Sequence, residues 1–255
     1  MVKRRLIGAV VVKNGIAVQS FSYGKYLPLG KPEIIIKNLD RWGVDEILIN
    51  VIDRSKNKLD PNFELLKKIQ KMNITTPLIY GGGVSNLESA KKVINLGADR
   101  ILIESALFNN YNYVKEISLF LGSQALILSL PIVIEKKIIK YFNYKNKKIE
   151  NLSNKINLSI KEKLFSEVLI IDPKGDGLYD KFNEKLLDKE KFNLPLICFG
   201  GIHTDSKIKK IFATNLNVNA VAVGNSLNYT EHAFQKIKKK TINKKFRKNI
   251  YFRSG

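Results

Sequence analysis

The chain has 255 residues and a formal net charge of +21, from 44 Lys and Arg against 23 Asp and Glu. Its lysines are spread over every predicted helix, and only the tail 236–255 is a dense basic run, a pattern that favours solvated surfaces over a nucleic-acid site. The single cysteine, Cys198, excludes a disulfide framework and no apolar stretch is long enough to span a membrane, so we expect one cytoplasmic domain over 1–255 with no nucleic-acid or membrane partner.

Continuous aliphatic runs, which are typical of buried parallel strands, recur eight times along the chain. Amphipathic stretches lie between them, and the clearest four begin at an Asn or Asp that we interpret as the N-cap. A longer connection, 131–150, alternates enough to predict a small hairpin. The predicted strands are 6–12, 46–51, 77–80, 100–103, 125–130, 167–171, 196–199 and 220–223, and the predicted helices are 62–72, 86–96, 109–121 and 205–214.

The second half of the chain repeats the pattern of the first. In each half a glycine pair follows a predicted strand and precedes a predicted helix, and an earlier strand ends in Ile-Asp. Two equal halves of alternating strands and helices favour a closed barrel. We therefore predict a single-domain α/β fold, a (β/α)₈ TIM barrel with the hairpin over its mouth and with half-barrels at 1–122 and 123–240.

Both glycine pairs are candidate phosphate sites. A glycine pair where a strand meets a helix lets the backbone approach an anion, and the N–H groups of the first helical turn then face it. Glycines at such turns can also serve backbone conformation alone. The first candidate site comprises Gly82, Gly83 and Ser105, and the second comprises Gly200, Gly201, Gly224 and Asn225. Two sites predict a ligand with two phosphates.

Several segments, taken in order, resemble a known family. They are Arg5–Gly15, Gly81–Gly83, Gly97–Arg100, Gly122–Ala125, Asp176-Gly177 and Gly200-Gly201. Together they resemble the cyclase subunit of imidazole glycerol phosphate synthase over nearly the whole chain. The resemblance implies a (β/α)₈ barrel that docks a HisH-like glutaminase at its N-terminal face. Ammonia would pass through the barrel to a phosphorylated or nucleotide-linked small molecule at the C-terminal face. We expect no cofactor and no metal.

The resemblance also assigns an ammonia gate at the barrel floor. The family closes the floor with a ring of alternating charges at the starts of alternate strands, and all four charges survive here. Charges inside a barrel are costly unless they pair with each other, which makes a salt-bridged ring the expected arrangement. A structural plug of ion pairs is the alternative interpretation. The matching residues are Arg5, Glu46, Arg100 and Glu167, with Arg100 where the family usually has lysine.

The proton-transfer residues of the family are absent. The resemblance places its two catalytic aspartates at Val11 and Pro131, and neither side chain can move a proton. General acid or base assistance is worth about 10²- to 10⁴-fold per group, so the family's cyclisation should be crippled unless other groups substitute. The candidate substitutes are Asp53, Asp172 and Asp176, each of which could instead orient a loop.

Two classes of function remain open from the sequence. In the first, the chain is an enzyme subunit that joins ammonia to a phosphorylated acceptor, by the ordinary histidine-pathway cyclisation with substitute carboxylates or by a related reaction. In the second, the barrel is a non-catalytic conduit that passes ammonia to a third, sugar-amidating protein, as the resemblance to paralogues of the family associated with amidino-sugar assembly for surface polysaccharides implies. The retained floor and the altered mouth favour the conduit, and both classes require a glutaminase partner.

Overall fold

The computed structural model describes residues 3–187 and 192–228, together with Ile237 and Lys240. The strands are β1 (Arg5–Lys13), β2 (Ile16–Phe21), β3 (Lys25–Gly30), β4 (Glu46–Val51), β5 (Leu78–Gly81), β6 (Arg100–Ile103), β7 (Leu126–Glu135), β8 (Ile138–Asn143), β9 (Lys148–Glu150), β10 (Glu167–Ile171), β11 (Leu196–Phe199) and β12 (Val218–Val223). The helices are α1 (Pro32–Arg41), α2 (Phe63–Gln70), α3 (Leu87–Asn95), α4 (Ser105–Asn109), α5 (Tyr111–Leu121), α6 (Asn154–Lys161) and α7 (Asp205–Thr214).

Eight of these strands close into a parallel barrel. The order around it is β1, β4, β5, β6, β7, β10, β11 and β12, and β12 pairs in parallel with β1. Helices connect most of the successive barrel strands. The predicted (β/α)₈ TIM barrel is therefore confirmed, as a single domain. Gly122 falls between the first four barrel strands and the last four, although the internal repeat itself stays a prediction.

The barrel has two apolar layers. Alternate strand residues point outward and pack against the amphipathic helices, so the outer cluster contains Ile47, Leu65 and Ile101 among many others. The remaining strand residues point into the lumen and form a separate cluster, which includes Ile7, Leu48, Leu102, Leu169 and Ile197. A strand buried on both faces needs apolar residues at every position, which explains the continuous aliphatic runs in the sequence.

Two antiparallel extensions rise from the barrel. β1 turns at Asn14-Gly15, both at positive φ, into the β2–β3 hairpin, which the sequence analysis did not predict. β7 continues past Pro131 and pairs with β8, which pairs with β9. This second extension confirms the predicted hairpin. The rings of Tyr23 and Phe142 meet edge to face, 5.8 Å between centroids, and so join the β2–β3 connection to β8.

The predicted elements agree closely with the structure, with two wrong N-caps. Asn62 and Asn86 cap α2 and α3 as expected. Asn109 is the last residue of α4, and its neighbour Asn110 caps α5. Asp205 is the first residue of α7, which Thr204 caps instead. The basic tail 236–255 lies outside the described residues except for Ile237 and Lys240.

No helix in the described ranges combines the length and the apolar character that a membrane crossing requires.

Candidate functional site at the two ends of the barrel lumen

A closed ring of ion pairs spans the barrel floor. Arg5 donates to Glu46 at 2.7 Å and also to Glu167, while Arg100 donates to Glu167 at 2.6 Å and lies 4.0 Å from Glu46. Each charge therefore has an opposite charge on both sides. The four side chains are only 8 to 15 % exposed, and they stand on β1, β4, β6 and β10, which are the first, second, fourth and sixth strands in the order around the barrel.

Burial and pairing compete in this ring. Burial raises the pKa of Glu46, and Arg5 and Arg100 reduce that effect without cancelling it. For Arg5, burial alone would lower the pKa, but Glu167 and Glu46 together raise it above its usual value. Arg100 is further held by Ser166 and by the carbonyl of Gln124. The structure thus brings together all four residues that the sequence assigned to the floor.

A cavity of about 320 Å³ opens at the other end of the lumen, where the barrel strands end. Val11 and Leu102 of the barrel strands line this cavity, and so do residues of the β2–β3 hairpin and Tyr144 of the β8–β9 turn. Cavities of this size and mixed polarity are typical of small-molecule sites, and the carboxyl ends of barrel strands are where such sites lie.

The first candidate phosphate site forms part of this cavity. Gly82 and Gly83 both line it and both have positive φ, and Ser105 joins them from the start of α4. The Gly83 amide donates to Ser55 Oγ at 3.1 Å, and Ser105 Oγ lies 2.7 Å from the hydroxyl of Tyr144. A side chain is excluded at Gly82, because its Cβ would lie 2.2 Å from the Val51 carbonyl oxygen. The glycine is therefore required by packing as well as by its conformation.

The second candidate phosphate site is much smaller. Gly200, Gly201, Gly224 and Asn225 meet as predicted, but around a space of only about 10 Å³. Asn225 Nδ2 donates to the carbonyl of Ser20 in the β2–β3 hairpin at 2.8 Å. Cβ atoms on Gly200 and Gly201 would lie 2.6 Å from the Asp172 carbonyl oxygen and 2.3 Å from that of Gly175. These two glycines therefore let the loop after β10 pack directly on the loop after β11.

The three candidate carboxylates occupy different places. Asp176 lines both cavities and accepts from Ser20 Oγ at 2.6 Å, and burial raises its pKa. Asp53 lines the large cavity and accepts from the Asn14 amide at 3.1 Å, while its Oδ1 is buried without a hydrogen-bond partner in the described structure. Asp172 accepts from the amides of Lys174, Gly175 and Asn183, so it organises its own loop.

The two positions that the resemblance assigns to the family's aspartates, Val11 and Pro131, differ in their surroundings. Val11 lies between the cavities and lines both. Pro131 sits within β7 opposite Ile171 of β10.

Glu104 is a functional candidate that the sequence analysis missed. It directly follows β6, lines the cavity, and accepts a hydrogen bond from Tyr141 Oη at 2.7 Å. Burial raises its pKa to about 7, although the hydrogen bonds from Tyr141 and Ser129 and the charge of Lys145 oppose the shift. A carboxyl group that titrates near neutrality can both give and take a proton. The sequence carried only a weak signal: a period of two continued past the four residues of β6 puts Arg100, Leu102 and Glu104 on the lumen side.

Among residues 3–187 and 192–228, no group of three or more His, Cys, Asp or Glu side chains is placed to hold a metal ion.

A closed (β/α)₈ barrel with a charged floor and a ligand-sized cavity at its mouth defines the structural class. The chain belongs to the histidine biosynthesis protein family, whose sequence model matches residues 5–233. Within that family it is a divergent HisF-like member, which confirms the resemblance found in the sequence.

Its relatives match along most of their length. A protein of Vibrio vulnificus named as a hisF2 subunit of imidazole glycerol phosphate synthase is 27% identical to this chain, over 91% of this chain and 86% of the relative. A Campylobacter jejuni protein of the same name is 26% identical, over 96% of this chain and 98% of the relative. The HisF subunit of imidazole glycerol phosphate synthase from Pyrococcus furiosus is 24% identical, over 93% of this chain and 95% of the relative. The chain is thus consistent with a cyclase-like subunit of that synthase family.

Proposed function

We propose that this chain is the barrel subunit of a glutamine-dependent complex, in which a glutaminase docks at the N-terminal face and ammonia passes through the lumen to a phosphorylated or nucleotide-linked acceptor. The single observation that carries the proposal is the closed ring of Arg5, Glu46, Arg100 and Glu167 across the barrel floor. Burying four charges is costly, and hydrophobic replacements are often neutral or stabilising in comparison. A stability role alone is therefore a weak reason to retain the ring.

The lumen above the ring suits a neutral molecule. Between floor and mouth the inward side chains are aliphatic, including Ile7, Leu48, Leu169 and Ile197, with the small Ala220 and Ala222 on β12. Moving an ion into such surroundings costs far more than moving a small neutral molecule. Ammonia that is released neutral at the floor can cross this layer, whereas ammonium is held back.

The bottom of the barrel offers apolar contacts for a partner. Leu119 and Phe120 lie in the last turn of α5, just before β7 begins, and are 78 % and 61 % exposed. Leu216, two residues before the start of β12, is 75 % exposed. Exposed apolar side chains near one face are typical of protein interfaces. They support docking of the glutaminase at the face that contains the ring.

The mouth supports chemistry different from the family's cyclisation. Val11 and Pro131 cannot act as acid or base, while Glu104 and Asp176 both face the cavity. We therefore favour nitrogen delivery without the standard cyclisation. Cyclisation by substitute carboxylates remains the alternative, for which Asp176 and Asp53 are better placed than Asp172. Passage of ammonia to a third, sugar-amidating protein is the other alternative, and the altered mouth is what favours it.

Reconstitution tests the proposal. The chain is co-expressed with the HisH-like glutaminase from the same genome, and the complex is isolated by size-exclusion chromatography. We expect a one-to-one complex whose glutamine hydrolysis exceeds that of the free glutaminase, and we expect Leu119→Lys with Phe120→Lys to abolish it. Exposed Leu158→Lys on α6 is the matched control and should leave the complex intact. Failure of the wild-type proteins to associate would refute the proposal.

A further inference from the structure

The two candidate phosphate sites differ greatly in the room that they offer. The cavity beside Gly82 and Gly83 measures about 320 Å³, whereas the one beside Gly200 and Gly201 measures about 10 Å³. A space of roughly 10 to 15 Å³ on this measure holds about a single water molecule. A phosphate group, with four oxygens around phosphorus, does not fit there.

The side chain of Phe199 accounts for the lack of room. Phe199 is the last residue of β11, is only 7 % exposed, and lines both cavities together with Val11. Its ring also fills the space beside Gly224, because a Cβ built on that glycine would lie 3.5 Å from Phe199 Cε2. An aromatic ring therefore stands between the two candidate sites.

The backbone amides just before α7, beyond the second site, already donate to a carboxylate of the protein. The carboxylate of Asp180 accepts from the amides of His203 and Thr204, at 2.9 and 3.0 Å, and from the Thr204 hydroxyl. These groups precede α7 directly, where a bound phosphate would otherwise find N–H donors and the positive end of the helix dipole. Asp180 thus takes up donors and adds a negative charge that repels a second anion.

The large cavity, unlike the second site, is lined by several lysines. Lys13, Lys56 and Lys147 line it together with Gly82 and Gly83, and so do the carboxyl groups of Asp53, Glu104 and Asp176. A ligand with one anionic group and with neutral or cationic groups elsewhere matches this mixture of charges. A second phosphate on the same ligand would find these carboxyl groups and the Phe199 ring in the same lining.

We propose that Phe199 and Asp180 close the second site, so that the mouth binds ligands with a single phosphate, held beside Gly82 and Gly83. This inference rests on the proposed function only in taking the ligand to be phosphorylated. It replaces the two-phosphate ligand expected from the repeated glycine pairs with a smaller class of acceptor.

Calorimetric titration of the isolated chain with ribose 5-phosphate and ribose 1,5-bisphosphate tests the proposal. The wild-type protein should bind both sugars with affinities within about threefold of each other, because the second phosphate finds no site. Phe199→Ala combined with Asp180→Asn should raise the ratio of the affinity for the bisphosphate to that for the monophosphate by about tenfold or more.

A matched control separates this effect from general loosening of the barrel. Ile197→Ala, two residues earlier on β11 and also facing the lumen, removes buried volume away from both cavities and should leave the ratio of affinities at its wild-type value. Preference of the wild-type protein for the bisphosphate by tenfold or more would overturn the proposal, and so would failure to bind either sugar. No glutaminase is present, so such a failure leaves the proposed ammonia path untouched.

Discussion

Arg100 and Glu104 stand at the two ends of β6 and face opposite ends of the barrel lumen. Arg100 begins β6 and pairs with Glu167 in the floor ring, whereas Glu104 directly follows β6 and lines the cavity at the mouth. At the usual rise of a strand they are separated by roughly 13 Å along the barrel. A molecule that passes the ring along β6 therefore arrives at a carboxyl group with a pKa of about 7.

The floor ring should be essential to the fold. Arg5→Ala removes one of the two cations that the buried Glu46 and Glu167 share and leaves Glu46 with only Arg100 at 4.0 Å, which should lower the free energy of unfolding by about 3 to 5 kcal/mol. Urea unfolding followed by circular dichroism measures this. Lys209→Ala, which removes an exposed ion pair with Asp205, is the control and should cost less than about 1 kcal/mol. Equal losses for the two variants would show that the ring is not a coupled buried network.

Glu104 should make stability depend on pH. Its pKa is about 7 in the folded protein against an ordinary value of 4.5, so the folded state keeps a proton that the unfolded state releases. Wild-type stability should therefore fall as pH rises from about 4.5 to 7. Glu104→Gln removes this contribution, and its stability relative to wild type should rise by about 3 kcal/mol across that window.

Tyr141→Phe provides a second measurement at the same site. The hydrogen bond from Tyr141 opposes the rise in the pKa of Glu104, so its removal should move the pH-dependent loss of stability to higher pH. Unfolding midpoints in urea, measured at intervals from pH 4 to 9, give both profiles. A wild-type profile that matches that of Glu104→Gln at every pH would contradict the assignment.

Histidine-pathway cyclisation should be very weak. The resemblance places the family's acid and base at Val11 and Pro131, so formation of imidazole glycerol phosphate from the family's substrate and ammonium should be slower by at least about 10²-fold than with the Pyrococcus furiosus relative. Val11→Asp with Pro131→Asp should recover little, because Phe199 still fills the second phosphate site. A wild-type rate within tenfold of the relative's would contradict this prediction.

Two glycines of the second site should differ sharply in how much stability is lost when each is replaced by alanine. Gly201→Ala puts a Cβ 2.3 Å from the Gly175 carbonyl oxygen at a φ of +69°, so we expect a loss of more than about 2 kcal/mol in the free energy of unfolding. Gly224→Ala meets only ordinary contacts, the nearest at 3.5 Å, and should cost less than about 1 kcal/mol. Thermal unfolding of the two variants compares them directly, and similar losses would count against the packing described for the loop after β10.

The sequence predicted the barrel well because its strands are buried on both faces and therefore read as unbroken aliphatic runs. The β2–β3 hairpin escaped prediction because half of it is exposed, and residues 25–30 alternate only weakly. The floor ring could be assigned through the family resemblance, since its four residues lie far apart along the chain. Composition alone would not have joined them.

The mouth was harder to predict. Glu104 gave little signal, because a strand of four residues shows too little alternation to mark an inward carboxyl. Phe199 looked like one more apolar strand residue, and its effect depends on where its ring points, which only the packed barrel decides. Asp180 lies in a turn at positive φ, and its contacts with His203 and Thr204 depend on the folding of two loops against each other.

The central claim, that ammonia travels inside the barrel, can be tested by isotope competition. The complex with its glutaminase is incubated with [amide-¹⁵N]glutamine, an extract of phosphorylated metabolites and the other proteins of the source organism, and an excess of unlabelled ammonium, and the aminated product is analysed by mass spectrometry. We expect product nitrogen that is almost entirely ¹⁵N, because ammonia in the lumen does not mix with the solvent. Product nitrogen diluted to the isotope ratio of the bulk ammonium would contradict the account.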